Sequence, residues 1–385
     1  MKKQYWFFIE SYVYQMIKNK SVLLYNTLDS SFILSCDPLI IELVEKIQDV
    51  NNCGVVLLEE QQYMQENIFK FIIELRNKYM GDIIDVKISQ KKPIVLYPML
   101  NLQQDFRKLK THEEFVKNSF FDYLINEIHI ELNNDTSIAY LNQIGKILKG
   151  IPPVFNIKIF GLSFNNICQV HEFVNHKSNI IIVLNCQSVN KEMVQAISCN
   201  DISIEIIVTF PLDITRLDKI WQLYSQNSVV VKNILFQVTN IDEYAQAEEL
   251  INRFSINKCH IEPVYNENNL SFFEKYVYLT EIDILECTQS MREIFAHKTL
   301  NTFDFGKLTI KTNGDVYANV HHPPLGNVTT HSIHEMLYKE MSDGESWLRI
   351  RDQEPCNNCI YQWLCPSPSN YEIVIGQPNL CHVNS

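Results

Sequence analysis

The hydrophobic and polar positions of this chain fall into three successive patterns. In the first, residues 1–90, strand-like runs are read at 5–15 and 22–35, and within the latter Ser21-Val22-Leu23-Leu24-Tyr25 and Ser31-Phe32-Ile33-Leu34 flank a turn at Asn26-Thr27-Leu28-Asp29-Ser30. Asp37-Pro38 then offers a cap and a proline at the first helical position, and Leu39, Ile40, Leu43, Val44 and Ile47 follow at helical spacing. A second helix is predicted over 64–79 from Ile68, Phe71, Ile72 and Leu75, and a strand-like end over 83–88.

From 91 to 290 strand-like and helical stretches alternate. Strands are predicted at 93–99, 127–132, 155–160, 179–184, 203–209, 231–238 and 259–264. Helices are predicted near 112–125, 136–149, 166–175, 189–198, 213–226 and 241–254. Several strands, such as Ile180-Ile181-Ile182-Val183-Leu184, are almost continuously apolar, the pattern of strands covered on both faces. Such alternation implies an α/β fold with parallel strands and right-handed crossovers, a partial or full (β/α) barrel.

The third pattern, 291–385, is different. Residues 306–311 and 315–319 read as strands around Asn313-Gly314, a tight-turn signal because that turn needs positive φ. A short helix is predicted from about Ser332 to Met341. The pattern thus divides the chain at 1–90, 91–290 and 291–385.

Charge narrows the choice of partners. With 33 Lys and Arg against 45 Asp and Glu, the formal charge is −12, which disfavours general nucleic-acid binding. No apolar run approaches the length of a membrane span. The apolar run after Lys2 and Lys3 is too short for a signal peptide, so a cytoplasmic protein is expected, bound to neither nucleic acid nor membrane.

Of 11 cysteines, four are ordered as C-x2-C-x5-C-x15-C: Cys356, Cys359, Cys365 and Cys381. Four thiols in one short tail, without a disulfide framework elsewhere, point to a four-thiolate centre holding zinc or a 4Fe–4S cluster. Pro366, Pro368 and Pro378 stiffen the loop that returns Cys381. The other seven are scattered, and most are expected to be small buried hydrophobes. His331-x2-His334 and His382 are weaker ligand candidates, beside His321 and His322. Among residues after the predicted strands, Asp105, Asp135, Asp213 and Arg107 could form an acidic site, although Asp135 and Asp213 sit where helix caps are wanted. His129 lies within a strand and reads as a face residue.

The run Gly306-x-Leu308-x-Ile310-x-x-Asn313-Gly314-Asp315-Val316-Tyr317, then Leu325-Gly326-Asn327, then the cysteines, resembles the SPASM domain of radical SAM peptide maturases. The resemblance covers roughly 91–385 and implies a partial (β/α) barrel of radical SAM type before a SPASM-like domain. Residues 1–90 are similar, in their order of elements alone, to winged-helix-like modules that recognise peptides in such systems. The run from Leu364 to Glu372 looks particularly like the pseudo-radical SAM proteins of Bacteroidales-type systems with double-glycine leaders.

Departures from the family pattern matter as much. The family holds its SAM-cleaving cluster by C-x3-C-x2-C after the first strand; Asn101–Arg107 stands there without cysteine, and no such run occurs in the chain. Asn133-Asn134-Asp135 replaces the glycine-rich turn after the second strand. For the first auxiliary cluster, Asn319 and Ser369 stand at cysteine positions and no cysteine lies in the window before Gly314. The resemblance leaves the second ligand set complete: Cys356, Cys359, Cys365 and Cys381, holding one 4Fe–4S cluster, or zinc in the alternative.

The resemblance therefore implies a pseudoenzyme without SAM cleavage, an accessory protein binding a precursor peptide, an active radical SAM/SPASM maturase, or both. The alternative is an electron-transfer partner of the maturase through the remaining cluster.

Overall fold

The computed structural model describes residues 3–89, 91–98, 124–133, 135–149, 151, 155–161, 179–199, 203–226 and 229–383. Its first part holds two antiparallel sheets. Strands β1 (Gln4–Ile9), β5 (Val55–Glu59) and β6 (Gly81–Asp85) pair in the order β5-β1-β6. Strands β2 (Val13–Lys18), β3 (Ser21–Asn26) and β4 (Phe32–Ser35) form the other sheet. The single run predicted at 5–15 is thus two strands in different sheets, broken by a turn in which the Val13 N–H meets the Glu10 carbonyl at 3.0 Å. Strand β5 had no counterpart in the pattern reading, and the strand end predicted over 83–88 stops at Asp85, where a helical turn, Val86–Ser89, begins.

Helix α1 (Pro38–Gln48) starts as its sequence predicts, the Asp37 side chain accepting from the Leu39 N–H at 2.8 Å. It buries Ile40, Leu43, Val44 and Ile47. Helix α2 (Glu66–Asn77) buries Ile68, Phe71, Ile72 and Leu75. Both stripes pack on Phe7, Ile9, Val22 and Leu24, making a core for this part. Fully burying one such aliphatic side chain is worth roughly 2 kcal/mol.

The central strands are β7 (Glu127–Glu131), β8 (Asn156–Phe160), β9 (Asn179–Asn185), β10 (Ser203–Thr209), β11 (Val231–Val238) and β12 (Cys259–Pro263). They are parallel neighbours in chain order, as βα alternation predicts. Helices α3 (Ile138–Lys149), α4 (Lys191–Cys199), α5 (Ile214–Gln226) and α6 (Ile241–Arg253) lie between them. The helices predicted near 112–125 and 166–175 lie outside the described residues, apart from Leu124 and Ile125.

Two expectations about this sheet are corrected. Residues 93–98 are not a strand; the Val95 N–H bonds the Cys53 carbonyl at 3.0 Å and the Tyr97 hydroxyl bonds the Ile9 carbonyl at 3.1 Å. Pro93 and Pro98 lack the N–H donors that a sheet interior needs. The edge beside β7 is taken instead by β13 (Lys307–Ile310), parallel to it, followed by β14 (Asp315–Tyr317) and β15 (Gly326–Asn327), so residues on both sides of position 290 build one nine-stranded sheet. Gly306 permits this junction: at φ +78° its carbonyl accepts from the N–H groups of Asn126 and Glu127 at 2.8 and 3.1 Å.

β9 is buried on both faces over Ile181, Ile182, Val183 and Leu184, as its apolar run predicts, but its neighbours are not. β7, β8 and β10 alternate buried with half-buried residues. The buried face, with Ile128, Ile130, Ile157, Ile159, Ile204 and Ile206, meets the helices; the other face is polar.

The tail adds α7 (Leu270–Tyr276), α8 (Glu281–Glu286) and α9 (Met291–His297), which the pattern reading did not assign. Helix α10 (Ile333–Asp343) begins with a Ser332–Glu335 capping box, and α11 (Asn370–Ile375) with a Ser369–Glu372 one. No helix among the described residues is long and apolar enough to cross a membrane.

Candidate metal centre

Cys356, Cys359, Cys365 and Cys381 line one recess with Arg351, Tyr361, Gln362 and Asn379. Cys356 opens a single 3-10 turn, and the Cys359 N–H closes it on the Cys356 carbonyl at 3.1 Å. Residues three apart in such a turn share a side, which is why the two-residue gap brings these thiols together. Cys365 ends the next turn, its N–H on the Tyr361 carbonyl at 3.0 Å. Cys381 returns through a bridge to Leu279: the Leu279 N–H meets the Leu380 carbonyl at 3.0 Å, and the His382 N–H meets the Leu279 carbonyl at 2.9 Å.

The recess has a cationic wall. Arg351 is buried, bonds Glu372 at 2.8 Å and points a guanidinium nitrogen at the Cys356 sulfur at 3.8 Å. Burial alone would lower its pKa, but Cys365 and Glu372 outweigh it, so the charge is held. Lys18, at the end of β2, bonds the Gln362 side chain, and Asn19 donates to the Asn358 carbonyl at 2.7 Å. The β2–β3 hairpin therefore grips the cysteine loop. Tyr14, Leu23 and Tyr25 of that hairpin share a core with Tyr361, Leu364 and Cys365.

Burial raises the pKa of Cys356 and Cys359 and pushes Cys365 up to about 12, with Arg351 drawing Cys356 and Cys365 the other way. Near neutral pH these thiols stay protonated, and a metal bound by them would have to displace their protons. The donor set fits a tetrathiolate centre. Among the described residues, though, no group of three or more His, Cys, Asp or Glu side chains stands ready to hold a metal ion. The Cys381 sulfur instead accepts from the Asn379 amide at 3.0 Å. The void is about 20 Å³, close to one water-sized sphere, room for a single ion but less than a cuboidal cluster fills.

The two positions where the resemblance implied lost ligands come together as well. Asn319 is buried and donates to Asp304 at 2.9 Å and to Asn370, the neighbour of Ser369, at 2.5 Å. Arg349 reaches the Pro368 and Ser369 carbonyls at 3.0 and 3.1 Å and lies 3.6 Å from Asp304. Asp304 falls within the window before Gly314 that the family pattern reserves for cysteine. Hydrogen bonds thus join the residues in and beside these positions.

A further constellation lies on the polar face of the nine-stranded sheet. Glu127 pairs with His129 at 2.7 Å, Lys158 with Glu205 at 3.0 Å and Lys311 with Glu131 at 2.6 Å. Burial would raise the Glu127 pKa, but the His129 bond and the nearby lysines leave it lowered. The Glu-Ile-His-Ile-Glu alternation of β7 carries this face in the sequence.

The remaining candidates are placed as follows. Asp213 accepts from the Thr215 and Arg216 N–H groups at 3.0 and 3.4 Å at the start of α5, a capping role. His129 is a half-buried face residue stacked near Phe160. Asp135 donates its N–H to Asn133 at 3.2 Å within a turn, and Asp105 and Arg107 lie outside the described residues. His382 turns to the Glu274 carbonyl at 2.6 Å and His331 to Thr330 at 2.8 Å. Of the scattered cysteines only Cys186 is buried as expected; Cys36, Cys53 and Cys287 are exposed and Cys259 is half-buried, while the side chains of Cys168 and Cys199 lie outside the description. The sequence reading missed Arg351, Arg349, Asp304 and Lys18. Only Arg351, five residues before Cys356, left a local trace.

No protein-family model matches the chain, and no curated protein matches it. Among solved structures, one of hexahistidine-tagged anSMEcpe with bound AdoMet is similar over 63% of this chain and 84% of that one, with 13% identity and a TM-score of 0.44.

Proposed function

We propose that this protein is a non-catalytic accessory protein of ribosomally synthesised peptide maturation, binding the precursor peptide, the active radical SAM maturase, or both. The observation that carries the reading is the pairing of two facts. One four-thiol set shares a recess, while Asn319, at a position where the resemblance implies a lost ligand, bonds Asp304 and the neighbour of Ser369, Asn370. The chain also contains no C-x3-C-x2-C run to hold a SAM-cleaving cluster. In this reading residues 1–90 are a winged-helix-like recognition module, 91–290 a degenerate barrel and 291–385 a SPASM-like domain.

Cys356, Cys359, Cys365 and Cys381 would hold the metal, with Arg351 and Lys18 offsetting its thiolate charge. A bound metal supplies a cross-link between chain segments far apart in sequence. Resemblance makes it a 4Fe–4S cluster; the small void favours a second reading, a single zinc ion. Anaerobic purification with iron, sulfide and zinc counted per chain decides between them. Cys365→Ser is expected to lose the metal and loosen the hairpin contact. The function is tested by pull-down with an active radical SAM maturase of such a system and its precursor; failure to associate with either overturns it.

A further inference from the structure

A cleft of about 430 Å³ lies between β2 and α9. Successive strand residues face opposite sides. Accordingly Val13 packs into the core of residues 1–90, and Tyr14 into the core shared with the tail. Yet Val13, Tyr14 and Gln15 all line the cleft. A cavity that meets both faces of a strand runs along its edge. That edge is open, because β2 is the outer strand of its sheet and pairs only with β3 among the described residues. The opposite wall is apolar: Ile47, Val50, Val95, Leu96, Met291 and Phe295.

Beside the polar side chains of Tyr14, Gln15, Gln48, Asp49 and Tyr97, the cleft is lined by one cation, Lys298. The Lys298 ammonium lies 4.9 Å from the Tyr14 ring and 5.1 Å from the Phe295 ring. The two rings hold it by cation–π attraction. Burial lowers its pKa, and no carboxylate among the described residues offsets its charge. Asp49, at the rim, is committed to Asn51, whose N–H and side-chain amide both reach it at 2.9 Å.

We propose that this cleft binds an extended peptide segment that lies along the free edge of β2 and presents a carboxylate to Lys298, with apolar residues on either side. The proposal rests on the peptide-handling role above and locates it. An added strand satisfies the open backbone edge, and its alternate side chains enter the apolar wall. A carboxylate on the Lys298 ammonium receives a charge-assisted hydrogen bond in apolar surroundings, which gives the site a preference among peptides.

The test is fluorescence anisotropy on the full-length, metal-loaded protein. The probes are labelled octapeptides of alternating valine and threonine with one central glutamate, the glutamine counterpart, and a version N-methylated at alternate backbone amides. The glutamate peptide is expected to bind at least about tenfold tighter than the glutamine one, the worth of one charge-assisted bond. Lys298→Gln should erase that difference, Lys298→Arg should keep it, and N-methylation should abolish binding. Equal binding of the two peptides, indifference to N-methylation, or displacement by octanoate at the peptide's own affinity overturns the cleft. Peptide binding that is unchanged by Lys298→Gln overturns the cleft but leaves the peptide-handling role standing. That role falls only if the pull-down with precursor and maturase also fails.

Discussion

Asn319 donates its side-chain amide to the Asp304 carboxylate at 2.9 Å, and both residues are buried. Burial raises the Asp304 pKa, while the Asn319 bond and the Arg349 charge pull it back. The pair ties the two ends of the β13–β14 hairpin together and, through Asn319, to Asn370, the first residue of α11.

That bond predicts a specific cost. Asn319→Ala leaves Asp304 buried without this donor, and should destabilise the protein by about 2 kcal/mol. Asn319→Asp should cost more, since it sets a second carboxylate against the first. Urea unfolding of the three proteins, with equal m-values, checks both; an Asn319→Ala midpoint equal to the parent's refutes the network's role.

Arg351 and Glu372 form a buried ion pair at 2.8 Å, with side-chain exposures of 7% and 6%. Removing one partner strands the other charge. Arg351→Met should cost about 3–5 kcal/mol and also weaken metal retention, because the Cys356 and Cys365 thiols lose their neighbouring cation. Replacing both residues, Arg351→Met with Glu372→Leu, should recover much of the stability but not the metal. Thermal unfolding and metal content of the three variants separate the two effects.

Glu340 gives a pH dependence of opposite sign to the usual carboxylate. It is 1% exposed, accepts from the Ser346 and Trp347 N–H groups at 3.0 and 2.6 Å, and burial pushes its pKa up to about 7. The folded protein therefore holds this proton between about pH 4.5 and 7, where the unfolded chain releases it. Its stabilising contribution is full below pH 4.5 and is lost as pH rises through 7, a swing of up to about 3 kcal/mol. Glu340→Gln keeps an acceptor for both N–H groups and cannot ionise. The variant should match the parent near pH ~4.5 and exceed it at pH ~8. Melting temperatures measured across this range test the sign; a difference that stays constant with pH rules it out.

Local order was legible in the chain. Asp37-Pro38 started α1, Asn313-Gly314 turned the hairpin, and the βα alternation gave the parallel strand order from β7 to β12. Capping, turn geometry and hydrophobic period act over a few residues, so the residues themselves carry them. The C-x2-C-x5-C-x15-C spacing likewise named the four thiols that share a recess. What lay beyond local reach was which distant segments meet. Only the folded chain put β13 rather than 93–98 beside β7, set Lys18 and Arg351 against the cysteines, and joined Asn319 to Asp304. It also placed Lys298 over Tyr14, 284 positions away in the numbering (298 − 14). Such contacts depend on how whole surfaces pack, and a pairwise spacing along the sequence does not encode them.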